Sequence, residues 1–224
     1  MEFSTVFFSL LEKPASDNVA YFAFCDQDDI WKPDKIKRAV EMIESNDDHG
    51  IKPILYCSRY TLFFPIAKEM VDGPINRIRP SLRNALVQNI APGCTMVINK
   101  KARNLLLLKK PQDASLHDAW FYLVIAAFGT VIYDRYPSLY YRQHENNTVG
   151  VTVSLKKKMQ KGIQRFYRGE GLTLMSVKVK KFYELFKDDL NEEQNTIIKG
   201  FLSLKFMDRL RFVVGKNSFY RNSF

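Results

Sequence analysis

The sequence lacks any run of 18 apolar residues, so it predicts no membrane-spanning helix. Its first residues are apolar but have neither a basic start nor a small-residue cleavage site, which argues against a signal peptide. Cysteine is scarce: Cys25, Cys57 and Cys94 lie far apart and match no CxxC metal-binding pattern. An odd number of cysteines without a secretory signal indicates reduced thiols in the cytoplasm. A glycine-rich phosphate loop, internal repeats and low-complexity tracts are also missing.

Positive charge is present in excess and is unevenly distributed. The 224 residues carry a formal net charge of +10. Residues 1–150 contain 18 Lys/Arg and 17 Asp/Glu, whereas residues 151–224 contain 16 Lys/Arg and only 7 Asp/Glu. The basic C-terminal third therefore favours an anionic partner, either a membrane surface or a nucleic acid.

The pattern of apolar residues divides the chain into two parts. Strands are predicted over residues 19–25, 53–58, 60–66, 94–99, 131–134 and 139–143. Helices are predicted from Pro33 to about residue 46 and over residues 81–89, 100–110 and 116–128, the last closed by Gly129. Residues 1–150 therefore indicate an α/β domain, and residues 151–224 indicate two or three basic amphipathic helices.

The strongest local signal is the acidic run Asp26-Gln27-Asp28-Asp29, directly after the first predicted strand. Three carboxylates in four positions repel one another unless a cation lies among them. In α/β sheets, ligands bind beyond the carboxyl ends of strands. The alternative is a solvated acidic turn that caps the following helix.

A second cluster, His117-Asp118-Ala119-Trp120, opens a predicted apolar helix. Asp118 in the first turn could do no more than complement the helix dipole. It could instead act as a general base oriented by packing against Trp120.

Two further segments are candidates for ligand contact. Gly93 and Cys94 form a tight turn before a strand, where glycine permits close approach to a ligand or simply completes the turn. Arg142 and His144 follow the last predicted strand. A lone histidine is usually a surface residue, but a histidine with two carboxylates can complete a manganese or magnesium site.

Four segments occur together in the order FCDQDDIWKPDKI, APGCTMVINKKA, HDAWFYLVIAAFG and YYRQHENNTVG. In this combination, residues 15–150 resemble bacterial family-2 glycosyltransferases, especially the rhamnosyltransferase-like members that build O-antigen, capsule or other cell-wall polysaccharides. The resemblance implies a GT-A (Rossmann-like) fold with a mixed sheet flanked by helices and an inverting, metal-dependent mechanism. It also implies a dTDP-rhamnose or UDP-sugar donor.

The resemblance assigns roles by position. It implies that Asp28 and His144 bind Mn or Mg, that Asp26 contacts the ribose or the metal through water, and that Asp118 is the catalytic base. The implied substrate contacts are His117 and Trp120 in the acceptor and donor-sugar pocket, Arg142 at the diphosphate, and Gly93 and Cys94 beside the donor sugar.

Members of this family normally have several nucleotide-binding strands before the acidic motif, which here begins at Asp26. The resemblance therefore implies an N-terminally truncated catalytic domain over residues 1–150, followed by a basic extension over residues 151–224. It also implies a lipid-linked glycan acceptor and a peripheral position at the cytoplasmic face of the cell membrane, where basic helices bind anionic lipid. The basic face could equally be a solvated side of a helical bundle.

Three alternatives to an active transferase follow from these observations. The chain could be an inactive remnant or a membrane-surface module, which would bind lipid without turnover. It could also be a metal-dependent phosphoryl-transfer enzyme, although no phosphate loop supports that. Nucleic acid is disfavoured as a partner because no recognised binding motif is present.

Overall fold

The computed structural model describes residues 3–14, 16, 18–47, 50–111, 117–143 and 170–203. The strands within them are β1 (Tyr21–Ala23), β2 (Ile30–Trp31), β3 (Ile54–Phe64), β4 (Glu69–Asp72), β5 (Val97–Asn99) and β6 (Thr130–Arg142). The helices are α1 (Phe3–Glu12), α2 (Lys35–Glu44), α3 (Leu82–Ala85), α4 (Lys100–Leu108), α5 (His117–Phe128), α6 (Glu170–Phe186) and α7 (Glu192–Ser203). A 3-10 turn at Gly93–Thr95 leads into β5. The predicted α/β class is confirmed.

The six strands form one mixed sheet in the order β1-β5-β3-β6-β2, and β4 pairs with β3 outside that path. The central pair, β3 and β6, is parallel. The other pairings among the described strands are antiparallel. The sheet thus places the loop after β1, the carboxyl-terminal part of β6 and the turn before β5 close together.

The side chains of β3 alternate between two apolar clusters, one on each face of the sheet, as the two-residue period of a strand requires. Leu55 and Cys57 belong to the larger cluster, which α1 and helices α3 to α7 cover. Ile54 and Tyr56 belong to the smaller cluster beneath α2. All four are fully buried, so β3 forms the centre of a three-layered structure.

Two strands are longer than the sequence predicted. The predicted strands at 53–58 and 60–66 form the single strand β3, whose register shifts beside Ser58 and Arg59. The predicted strands at 131–134 and 139–143 join as β6 through Pro137, which lies opposite Arg59 at the same irregularity. Proline is tolerated where a bulge interrupts the hydrogen-bond ladder. The break in each pattern therefore marks a bulge and not a loop.

Other boundaries also differ from the prediction. The strand expected over residues 94–99 begins only at Val97, because Gly93–Thr95 forms the 3-10 turn. Helix α1 and strands β2 and β4 were not predicted. Both strands contain four residues or fewer, too short for an alternating pattern to stand out.

Helix α5 ends at Phe128, directly before Gly129, as predicted, and the structure gives a steric reason for the glycine. A Cβ atom at Gly129 would lie 2.2 Å from the carbonyl oxygen of Pro53. The Gly129 N–H donates to the carbonyl of Ile125, and the Thr130 N–H donates to that of Pro53. Glycine thus permits the close passage from α5 into β6 beside the start of β3.

The described part of the C-terminal region is helical, as predicted. From α6, Val179, Phe182 and Phe186 enter the larger apolar cluster, and Ile198 and Phe201 of α7 join them. The helices are thereby part of the same core as α5. None of the described helices is both long and apolar enough to cross a bilayer.

Candidate active site

The acidic run forms a turn between β1 and β2. The Phe24 N–H donates to the carbonyl of Met96 and continues the pairing of β1 with β5. The Asp29 N–H then points to the carbonyl of Asp26, 3.4 Å away, which closes a reverse turn. Such a turn brings the first and fourth residues together, so Asp26 and Asp29 become neighbours.

Asp26, Asp29 and Cys94 form a group that could hold a cation. One ligand atom from each lies within 4.8 Å of the others. Oδ1 of Asp29 accepts the Arg142 N–H at 3.2 Å, whereas Oδ2 is buried and accepts no hydrogen bond from the described residues. A buried carboxylate oxygen without a donor is a position that a cation would satisfy.

The electrostatics of this group also favour a cation. Burial, and then the charge of Asp28, raise the pKa of Asp26. Burial raises the pKa of Asp29, although the hydrogen bond from the Arg142 N–H and the nearby Cys94 thiol oppose that shift. Burial likewise raises the pKa of the Cys94 thiol, which therefore stays protonated near neutral pH. Carboxylates are the ligands that manganese and magnesium prefer, so Asp26 and Asp29 fit the predicted ion better than Cys94 does.

A cavity of about 250 Å³ lies beside this group. It is lined by residues from the acidic turn, the 3-10 turn, α5 and the two central strands: Asp26, Tyr60, Pro92, Gly93, Cys94, His117, Asp118 and Tyr141. The structure therefore brings together residues from all four segments that the sequence singled out, the last of them through Tyr141.

His117 presents an unpaired nitrogen beside this cavity. Its ring stacks on Phe7 of α1, with centroids 3.8 Å apart, and meets Phe121 edge to face at 5.8 Å. Burial lowers the pKa of His117, and the charges of Asp118 and Asp26 oppose that shift. Nε2 is buried and has no hydrogen-bond partner among the described residues. It is thus a neutral polar group available to a ligand.

The position of the His117 ring leaves no room for a side chain at residue 93, which is glycine. A Cβ atom at Gly93 would lie 2.8 Å from Nε2 of His117 and 3.7 Å from Cβ of Asp118. Non-bonded carbon and nitrogen atoms do not approach to 2.8 Å without displacement. Because Gly93 has no side chain, the start of α5 can pack directly against this turn.

Asp118 lies in the first turn of α5 and lines the cavity with Asp26. Its Oδ1 accepts the N–H of Ala119 at 2.7 Å, which fixes the carboxylate at the helix start. The carboxylate is close enough to Asp26 for its charge to raise the pKa of that residue. This geometry is compatible with both roles that the sequence left open for Asp118, a partner of the helix dipole and a general base.

Tyr60 and Tyr141 complete the cavity and were not predicted as site residues. They lie on the parallel strands β3 and β6, with ring centroids 5.6 Å apart. Burial raises the pKa of Tyr141 to about 12, and the charge of Asp26 adds to the effect. Both phenols therefore stay protonated at neutral pH and can donate hydrogen bonds to a ligand.

Three further predicted residues are not among the described residues that line the cavity. Trp120 is buried against Phe182 and Phe186 of α6, at 6.1 and 6.4 Å between centroids, and does not line the cavity. Asp28 is not a member of the group that could hold a cation. His144 lies outside the described residues. The roles implied for these three residues stay predictions.

Arg142 lies behind the acidic turn and is not among the residues that line the cavity. Its Nε donates to the carbonyl of Asp28 at 2.9 Å, and its backbone N–H donates to Asp29. In this position Arg142 attaches the end of β6 to the turn. The diphosphate contact implied for Arg142 is untested and stays a prediction.

No protein-family model matches the chain. The chain is, however, similar to an enzyme of the glycosyltransferase class. That relative is the dTDP-rhamnosyl transferase RfbG of Shigella flexneri, which is 34% identical over 178 residues. The match covers 73% of this chain and 58% of the relative, so the chain spans less than two thirds of the relative's length.

Proposed function

We propose that this chain carries the cation-binding and acceptor-activating part of an inverting glycosyltransferase with a GT-A fold. The observation that carries the proposal is the convergence of Asp26, His117 and Asp118 on one cavity beside an unsatisfied carboxylate oxygen. The similarity to a protein named dTDP-rhamnosyl transferase supports sugar transfer in particular. The proposed donor is dTDP-rhamnose, with UDP-hexoses as the nearest alternative.

In the proposed reaction, Asp118 removes the proton from an acceptor hydroxyl as that oxygen attacks the anomeric carbon. The bond between this carbon and the diphosphate breaks on the opposite face, so the configuration inverts and a nucleoside diphosphate leaves. Asp26 and Asp29 would hold Mn or Mg, whose charge neutralises the departing diphosphate. Nε2 of His117 would hydrogen-bond to a sugar hydroxyl.

The proposed acceptor is a lipid-linked glycan of cell-surface polysaccharide synthesis at the inner face of the membrane. Support comes from the excess of Lys/Arg in residues 151–224 and from exposed basic side chains on α6, such as Lys180. Basic helices are attracted to anionic lipid by about 1 kcal/mol per charge. The alternative is a membrane-surface module that binds lipid without turnover.

Release of nucleoside diphosphate tests the proposal. The purified chain is incubated with dTDP-rhamnose or UDP-sugars and a lipid-linked acceptor, with and without manganese. We expect release that requires both manganese and acceptor. Co-sedimentation with anionic vesicles but no release from any donor would contradict the transferase and favour the module.

A further inference from the structure

Lys35, the first residue of α2, is fully buried, although lysine is among the residues most rarely buried. It lies on the inner side of the acidic turn, between that turn and the 3-10 turn. Its position is therefore internal to the candidate active site and not on the solvated face that the basic pattern of α2 suggests.

Two contacts hold the ammonium group of Lys35 in place. Nζ donates to the carbonyl oxygen of Cys94 at 2.5 Å and lies 4.1 Å from the ring centroid of Trp31. The first contact fixes the turn that carries Gly93, and the second is a cation–π interaction with Trp31 of β2, the strand that directly follows the acidic turn. One side chain thus connects the 3-10 turn to the strand that follows the acidic turn.

The surroundings of this ammonium are acidic, because Nζ is hydrogen-bonded to the carbonyl of Cys94, the residue whose thiol lies within 4.8 Å of the carboxylates of Asp26 and Asp29. Burial lowers the pKa of Lys35 to about 8, while the charges of Asp29 and Asp26 favour the protonated form. In return, the charge of Lys35 lowers the pKa of Asp26. An apolar side chain could fill the same space, so a charged one at this depth implies an electrostatic role.

We propose that Lys35 is a positioning residue whose fixed positive charge balances the Asp26–Asp29 pair and holds the Gly93–Cys94 turn against it. The charge keeps the carboxylates together when no cation is bound. The role of this charge in sugar transfer rests on the proposed function. Its predicted effects on folding and on cation binding can be measured without turnover.

A double-variant cycle tests the charge balance. Lys35→Met keeps the length of the side chain and removes its charge. Near neutral pH, we expect this variant to lower the melting temperature by about 10 °C in the wild-type background. In an Asp29→Asn background we expect about half that loss, because one unbalanced carboxylate is gone. Lys37→Met is the matched control, since Lys37 lies on the same helix with a side chain 78% exposed.

Manganese provides a second readout. If a bound cation replaces the missing charge, manganese should raise the melting temperature of Lys35→Met more than that of the wild type. Equal losses in both backgrounds, with equal effects of manganese, would show that Lys35 only fills space. If Lys35→Met does not fold, the proposal requires the double variant with Asp29→Asn to fold, and its failure to do so overturns the proposal. Loss of transferase activity alone would bear on the proposed function and not on this charge balance.

Discussion

The motif His117-Asp118-Ala119-Trp120 divides within a single helical turn. His117 and Asp118 face the cavity, whereas Trp120 lies in an aromatic cluster with Phe182 and Phe186 of α6. Neighbours in sequence thus have different surroundings: His117 and Asp118 line the cavity, whereas Trp120 packs the C-terminal helices against the core. Residues that share a motif need not share a site, because successive positions on a helix point about 100° apart.

The largest expected effect is a loss of sugar-transfer rate on substitution of Asp118, without a loss of stability. Asp118→Asn keeps the acceptor for the Ala119 N–H but removes the basic oxygen. We expect transfer to fall by about 10³-fold, within the range for a general base. The melting temperature and donor binding should remain near wild type. Kinetics of nucleoside diphosphate release, with Glu41→Gln as an exposed control, measure this. Undiminished turnover would leave Asp118 as only a partner of the helix dipole.

At Trp120 we expect a substitution to lower the stability of the fold and not to act on the chemical step. Trp120→Ala should lower the free energy of unfolding by about 3–5 kcal/mol, because it leaves a cavity between α5 and α6. Trp120→Phe should cost less, since it keeps part of the aromatic contact. Denaturant unfolding measures both. A Trp120→Ala variant with normal stability but weak donor binding would instead place this residue in the sugar pocket, as the resemblance implied.

A smaller effect is expected where the turn meets the helix. Gly93→Ala would place Cβ against Nε2 of His117, so the histidine must move. We expect donor affinity to fall about tenfold, equivalent to about 1.4 kcal/mol, with a modest loss of stability. Calorimetry measures the affinity. In a His117→Ala background the added methyl should cost little stability, and an undiminished cost there would locate the clash elsewhere.

The smallest expected effect is a change in the melting temperature of the metal-free chain on substitution of Asp29 in the acidic turn. Burial raises the pKa of Asp29 above its unfolded value, so ionisation of Asp29 opposes folding near pH 7. Asp29→Asn should therefore raise the metal-free melting temperature by about 3 °C at pH 7. The difference should shrink as the pH falls through the raised pKa of folded Asp29 and should vanish below the unfolded carboxyl pKa, where the side chain is neutral in both states. Thermal scans at several pH values measure it, and a gap that widens at low pH would contradict this sign.

The sequence predicted that the acidic run borders a site, but it did not predict which carboxylates lie together. The resemblance assigned roles to Asp26 and Asp28, and the reverse turn brings Asp29 beside Asp26. Which carboxylates converge depends on backbone dihedral angles that a residue pattern does not encode. The resemblance implied that Asp118 faces the same cleft as the acidic motif, and Asp118 and Asp26 line one cavity; residue types and spacing alone do not encode that proximity.

Tyr60, Tyr141 and Lys35 were not predicted as site residues, because tyrosines on strands and lysines on helices usually have other roles. Tyr60 and Tyr141 lie on strands, where aromatic residues are common in any core. Lys35 lies in a basic helix whose other lysine, Lys37, is solvated. Burial of a charge is decided by the neighbouring elements and not by the helix itself. The α/β class was predictable because β3 and α5 are apolar runs bounded by residues such as Pro53 and Gly129, which is typical of buried strands and helices.

Calorimetric titration of dTDP-rhamnose, with and without manganese, tests the central claim most directly. We predict manganese-dependent binding by the wild-type chain, a loss of that dependence in Asp26→Asn and in Asp29→Asn, and unchanged binding in Glu41→Gln. Binding that is the same with and without manganese, or that survives both substitutions, would contradict the assignment of this cavity as a cation-dependent nucleotide-sugar site.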